Sequence, residues 1–158
     1  MERTLIIIKP DALQRNLLGE IISRFEKKGL KIIGLKMMTI DATKIKEHYA
    51  HHLNKPCFKS LKNFMQSSPV IIIALEGLEA VKAVRLIVGP TKGREADAGS
   101  IRGDLSMSGQ CNIVHASDEI KIAKEEINRF FNKKELFTYD KLDFQFVYGE
   151  DERNNKKS

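Results

Sequence analysis

Cysteine is scarce in this chain. Cys57 and Cys111 are the only two in 158 residues. They lack CxxC spacing and cannot build a disulfide framework, so a reducing, cytoplasmic setting is expected. Long hydrophobic runs are also missing. The longest, Leu5 to Ile8 and Val70 to Leu75, have strand length and fall far short of the roughly 20 residues that cross a bilayer. Met1-Glu2-Arg3 leads straight into a β-branched run, without the charged and apolar regions of a signal peptide. Neither a membrane nor a secreted protein is expected.

What is present is globular composition. The chain is 42% hydrophobic and 30% charged, which excludes disordered and fibrous classes. At this length about two-thirds of the unfolded surface can be buried. Lys and Arg outnumber Asp and Glu by 27 to 21, for a net charge of +6. The tail from Gly149 carries Glu150, Asp151 and Glu152 against Arg153, Lys156 and Lys157, so the excess lies on the body. There it can attract anions, although a basic soluble protein needs no acidic partner.

Strands and helices alternate along the chain. Leu5 to Lys9 reads as a buried strand ended by a Pro10-Asp11 turn. Leu18, Ile21, Ile22 and Phe25 form a helix face, with Lys27, Lys28 and Gly29 as its C-terminal signals. A strand is expected over 30–39. A short helix presenting Ile45, His48, Tyr49 and His52 follows, and a helical turn at Leu61, Phe64 and Met65. Then come a strand over 70–75 and a helix marked by Leu78, Val81, Val84 and Val88. Gly89 to Gly109 holds five of the ten glycines and little periodicity. A loop of about 20 residues inside a compact domain is usually functional or disordered. A strand over 111–115, a helix carrying Ile120, Ala123, Ile127, Phe130 and Phe131, and a last strand over 142–148 complete one α/β domain, residues 1–148. Asp118 is the expected N-cap of that helix, and residues 149–158 form a mobile charged tail. Taken alone, the alternation suggests a parallel sheet.

No GxxxxGK[ST] and no GxGxxG is present, so phosphates would have to be held by side chains. Lys9, Arg85, Thr91 and Arg102 are the candidates, and each also has an ordinary structural explanation. His115 is the sharper signal. It is expected at a strand end just before a helix start, where free N–H groups stabilise a phosphoryl group and favour the uncharged ring. His48, His51 and His52 have metal-like spacing. Without an HExxH carboxylate, a polar helix flank explains them better, and no metal ligand set is assigned.

Asn112-Ile113-Val114-His115-Ala116-Ser117-Asp118 resembles the active-site motif of nucleoside diphosphate kinases, Asn-x-x-His-(Gly/Ala)-Ser-Asp. Three further stretches match that family in order and spacing. They are Glu2-Arg3-Thr4 through Lys9-Pro10-Asp11-Ala12, Gly19-Glu20-Ile21-Ile22 with Arg24-Phe25-Glu26, and Ser100-Ile101-Arg102-Gly103-Asp104. The resemblance spans nearly the whole chain.

It implies a ferredoxin-like antiparallel sheet with helices packed on it. It also implies a ping-pong transfer of the γ-phosphate of ATP or another nucleoside triphosphate to a diphosphate, through a phosphohistidine. By position, His115 would be the nucleophile. Lys9 and Arg102 would stabilise the transferred group, and Arg85 and Thr91 would hold the β-phosphate. Asn112 and Lys9 would meet the ribose hydroxyls, and Tyr49 would help place Lys9. Ser117 and Glu126 would orient the imidazole. Mg²⁺ would arrive on the nucleotide, with Asp118 reaching it through water. A homo-oligomer, hexamer or tetramer, is implied, with the glycine-rich segment at its contacts.

Two departures lie at the nucleoside end. Lys55-Pro56-Cys57-Phe58 stands where the family has Lys-Pro-Phe-Phe, so Cys57 replaces the aromatic that stacks on the base. Ser108-Gly109-Gln110-Cys111 replaces a stretch that often contains valine and Gly-Arg. A basic ferredoxin-like domain also raises the reading of an RNA-binding module. That needs aromatics on the central strands and an RNP1 pattern, and Leu5 to Lys9 and Val70 to Leu75 are aliphatic. Nucleic acid is therefore not an expected partner.

Overall fold

The computed structural model describes residues 1–154. Four strands, β1 (Glu2–Ile8), β2 (Lys31–Met38), β3 (Val70–Gly77) and β4 (Val114–Ala116), form one sheet in the order β2-β3-β1-β4. All three pairings are antiparallel, with Ile6 opposite Ile73 and Ile7 opposite both Ile72 and His115. The parallel sheet that alternation alone suggests is therefore not formed. β1 and β2 do run the same way, as a helical crossover demands, but β3 inserts between them. β3 and β4 are split in the same manner by β1. The chain thus contains two interleaved βαβ units, the ferredoxin-like arrangement.

The runs Leu5–Ile8 in β1 and Val70–Leu75 in β3 are aliphatic because both of their faces are buried. Ile6, Ile8, Ile71, Ile73 and Leu75 pack on one side against α2 (Leu18–Lys27), through Ile21 and Phe25, and α5 (Ala80–Val88), through Val84 and Val88. Leu5, Ile7, Ile72 and Ala74 pack on the other side, where α3 (Ala42–His48), α4 (Phe58–Met65) and α7 (Ile120–Phe130) contribute Ile45, Met65, Ile127 and Phe130. Neither face of these central strands is open for stacked bases, which removes the RNA-binding geometry.

Several local expectations are corrected. Pro10 does not end β1 in a turn; it opens α1 (Pro10–Gln14) at its first position, where its fixed φ and missing N–H are suited. The helix at Ile45 stops at His48, and Ala50–His52 continue as a 3₁₀ turn. The glycine-rich segment is not a plain loop. It contains a 3₁₀ turn at Gly93–Glu95 and α6 (Ile101–Leu105), capped by Ser100. Gly93 and Gly103 permit this folding: a Cβ would lie 2.2 Å from the Ser106 carbonyl oxygen and 2.0 Å from that of Asp97, respectively. The strand expected over 111–115 begins only at Val114, because Ile113 adopts φ +74°. α7 starts at Ile120 with Glu119, not Asp118, before it. Residues 142–148 form no strand and instead include α8 (Phe144–Val147). Of the tail, α9 covers Glu150–Asn154; its remaining residues, 155–158, lie outside the described ones.

Candidate active site

A cleft of about 780 Å³ opens beside β4, and every residue expected at the site except Ser117 lines it. His115 sits in the middle of β4, hydrogen-bonded in register with Ile7. Contrary to expectation it does not stand immediately before a helix; α7 begins only at Ile120, and Glu119 and Ile122 at its start line the cleft. The cations that line the cleft are Lys9, Arg85, Arg102 and Arg129.

Glu126, on α7, orients the ring. His115 Nε2 lies 3.0 and 3.2 Å from the two Glu126 oxygens, which assigns the proton to that nitrogen. Nδ1 has no hydrogen-bond partner among the described residues. Ser117 donates to the same carboxylate at 2.5 Å. Burial pushes the Glu126 carboxyl up, but the hydrogen bond and charge of His115 and the Ser117 bond outweigh it and hold the pKa below the usual value. A carboxylate kept ionised here fixes the tautomer and balances positive charge on the imidazole.

Lys9 follows β1, and Arg102 lies on α6. Both are buried. Burial lowers the Lys9 pKa to about 8, and the nearby Arg102 charge adds to the effect. Burial, then the Arg85 charge, lowers Arg102 to about 10. Arg102 is also a structural pin: Nε donates to the Asn112 carbonyl (3.2 Å), one terminal nitrogen to Gly89 (2.8 Å) and the other to Val114 (2.6 Å). Those bonds tie α6 to both flanks of Ile113. A β-branched residue with positive φ is strained by roughly 1–3 kcal/mol, a feature that concentrates at functional sites. The Ile113 N–H is held by Asp11, and its carbonyl accepts from Lys9 N.

Asn112 accepts from Lys9 Nζ at 2.6 Å and donates to the carbonyls of Thr91 and Gly109, both at 2.8 Å. Arg85, in the last turn of α5, is paired with Asp118 at 2.9 Å. Tyr49 is buried with its hydroxyl unpartnered, its ring 6.2 Å from that of His115. Burial, then the Glu126 charge, raises its phenol above the ordinary range. Cys57 is exposed at the rim. Phe58, half-buried at the start of α4, packs against the core as Leu61 does, but Leu61 lines the cleft and Phe58 does not, so Phe58 does not replace the missing stacking aromatic.

Sequence reasoning missed His48 and Arg129. His48 is not on a polar flank: it is buried, edge-on to His115 with ring centres 4.5 Å apart. Its Nδ1 accepts from Arg129 at 3.3 Å and lies 3.5 Å from Glu126. Burial, followed by the charges of His115 and Arg129, holds its pKa well below the usual value. His48, His115 and Glu126 are close enough to share a cation, but Arg129 takes the His48 lone pair such an ion would need. The His51 and His52 rings lie against each other, tilted by 52° with centres 4.2 Å apart, and both line the same cleft. Position on one face with buried Ile45 was the signal that His48 points inward.

A ferredoxin-like domain with an oriented imidazole facing buried cations defines an α/β protein suited to handling phosphate. The comparisons with known proteins specify which. The family model for nucleoside diphosphate kinase matches residues 2–136. The chain is 48% identical over 152 residues to the nucleoside diphosphate kinase of Parabacteroides distasonis, covering 96% of this chain and 99% of that one. It is 50% identical over 141 residues to that of Pyrococcus horikoshii, covering 87% and 90%. A halophilic nucleoside diphosphate kinase from Halobacterium salinarum, solved with CDP, superposes with TM-score 0.91 at 41% identity, covering 93% of this chain and 98% of that one. A nucleoside diphosphate kinase family protein from Babesia bovis gives 0.90 at 42%, covering 94% and 100%. The chain belongs to the nucleoside diphosphate kinase family, a family of phosphotransferases.

Proposed function

We propose that this enzyme moves the γ-phosphate of ATP or another nucleoside triphosphate to a nucleoside diphosphate, in two half-reactions through His115. The observation that carries the reading is the His115–Glu126 pair: with Nε2 engaged, Nδ1 is the nitrogen with a free lone pair. In the first half-reaction that lone pair forms the N–P bond. The bond from the γ-phosphorus to the bridging oxygen breaks, and its electrons leave on the diphosphate. The second half-reaction reverses this on a different diphosphate. Nε2 keeps its proton throughout, and Glu126 balances the imidazolium charge.

Phosphoryl transfer demands alignment and cations around the equatorial oxygens more than covalent machinery. Lys9 and Arg102 supply those cations from the cleft floor, while Arg85 and Thr91 meet the β-phosphate. Lys9 and Asn112 take the ribose hydroxyls, and the buried Tyr49 hydroxyl is free to donate into the same space. Asp118 offers one oxygen ligand at the cleft edge, which fits Mg²⁺ carried in on nucleotide phosphates and reached through water. When bound, that ion neutralises charge on the β- and γ-phosphates.

A homo-oligomer, hexamer or tetramer, belongs to the same reading. Leu35 and Met37 stand exposed on the edge strand β2, a surface that invites a partner. The compartment we propose is the cytoplasm. Both cysteines are free, and among the described residues no helix is long and apolar enough to cross a membrane.

Initial rates measured against both nucleotides test the reading. Double-reciprocal plots should be parallel, as a covalent intermediate requires. Intersecting lines would indicate direct transfer in a ternary complex.

A further inference from the structure

We propose that Arg129 is a positioning residue that keeps His48 from competing with His115 for the Glu126 carboxylate. The proposal rests on the nucleotide-transfer reading above, in which that carboxylate orients the nucleophile. One of its oxygens faces two imidazoles. Glu126 Oε1 lies 3.0 Å from His115 Nε2 and 3.5 Å from His48 Nδ1. Oε2 already accepts from Ser117 at 2.5 Å. The two rings meet edge-on with centres 4.5 Å apart, so either can supply a proton to Oε1.

Arg129 decides between them. It stands about one turn beyond Glu126 on α7 and so on the same face, and a terminal guanidinium nitrogen lies 3.3 Å from His48 Nδ1. A guanidinium only donates, so Nδ1 is the accepting nitrogen and the His48 proton sits on Nε2. Burial, followed by the charges of His115 and Arg129, holds the His48 pKa well below the ordinary value and keeps that ring neutral. Packing fixes the ring itself: Tyr49 and Phe130 stand edge-on to it, with centres at 4.6 and 5.2 Å. Only the tautomer is left to choose.

The tautomer that Arg129 imposes is the costly one. Nε2 is buried and has no hydrogen-bond partner among the described residues, and a buried donor left unpaired is rare enough to need a cause. With the proton on Nδ1 instead, His48 would donate to Oε1 and no N–H would be stranded. Without Arg129 the ring should therefore change tautomer. A second donor on Oε1 would then share the charge that holds the His115 N–H and balances the imidazolium. A carboxylate oxygen can accept twice, so the His115 contact would weaken and not vanish. Arg129 also lines the cleft, so a direct grip on nucleotide is the competing role.

The test combines nitrogen NMR of the full-length protein, isotopically labelled in its histidine rings, with steady-state kinetics. Both are applied to the unaltered protein, Arg129→Met and Arg129→Lys. Nitrogen shifts distinguish bare from protonated ring positions. His48 Nδ1 should be bare in the unaltered protein and protonated in Arg129→Met. Arg129→Met should lower kcat and kcat/KM together by roughly 3- to 10-fold, the effect of one weakened hydrogen bond, with KM unchanged. Arg129→Lys keeps a cationic donor and should restore the original tautomer and most of the turnover. An unchanged His48 tautomer in Arg129→Met would overturn the proposal. A raised KM at constant kcat would overturn it too, by making Arg129 a nucleotide-binding residue. The tautomer is read in the resting enzyme without nucleotide, so a failure of phosphoryl transfer through His115 is a separate result.

Discussion

His115 Nε2 and the Glu126 carboxylate lie 3.0 Å apart in the cleft, and that contact leaves Nδ1 as the ring nitrogen with a free lone pair. It joins the middle of a three-residue strand to a residue of α7 eleven positions further on. The same carboxylate also receives Ser117 and approaches His48.

Glu126→Gln should keep the fold and slow phosphoryl transfer. The carboxylate bond to an imidazole that becomes cationic is worth about 1.5–3 kcal/mol, or roughly 10- to 100-fold in rate. The loss should appear in kcat and kcat/KM alike, measured by steady-state exchange between ATP and a diphosphate. An unchanged kcat would remove Glu126 from the mechanism.

Lys9 and Arg102 should separate by stability. Replacing either with alanine should lower turnover by roughly 10²–10³-fold, as loss of a charge-stabilising donor does. Arg102→Ala additionally leaves the carbonyls of Gly89, Asn112 and Val114 unpartnered. It should destabilise the protein by about 3 kcal/mol or more, since an unsatisfied buried group costs about 1–3 kcal/mol. Lys9→Ala removes a charge that burial already disfavours and should lower the melting temperature far less. Equal shifts in melting temperature would contradict the pinning role.

The pH dependence follows from Lys9. Its folded pKa, about 8, is below the ordinary lysine value of 10.5, so the unfolded chain binds more protons between those values. Stability contributed by this group therefore rises as pH increases from 8 to 10.5, and the penalty for burying the ammonium is fully present below 8. Activity should move oppositely, because transfer needs the charged form. In the free enzyme kcat/KM should fall above about pH 8. A bound polyphosphate raises the Lys9 pKa, so the fall in kcat should begin at higher pH. Coincident declines of both parameters would assign the titration elsewhere.

Cys57→Phe should tighten diphosphate binding by about 1 kcal/mol, part of the roughly 1–3 kcal/mol that stacking on an aromatic contributes. The gain should appear in KM with little change in kcat, because the base is remote from phosphorus. Phe58 does not line the cleft, so it supplies no compensating ring. Unchanged affinity would mean that Leu61 already saturates the base contact.

The central strands and most helices were legible because their periodicity is set by burial on both faces or on one stripe. The antiparallel order was not. Two split βαβ units produce the same alternation as a parallel sheet, and only resemblance distinguished them. Residues 142–148 alternate like a strand, but they lie where no sheet edge pairs with them, and part of the segment closes into one helical turn. The turn at Ile113 was invisible because a β-branched residue is the last expected at positive φ; the bonds made by Arg102, Asp11 and Lys9 N around it hold it there. At the site, motif positions identified residues that the fold brings together around one cleft. His48 and Arg129 escaped because their role depends on contacts across α3 and α7 that spacing does not encode.

The most direct test of the account is isolation of the protein after exposure to γ-labelled ATP and Mg²⁺. The account predicts one labelled residue, His115, phosphorylated at Nδ1, stable in base and lost in acid, and able to pass its label to added diphosphate. His115→Ala should fold and take up no label. Label on another residue, or retained labelling and exchange in His115→Ala, would contradict it.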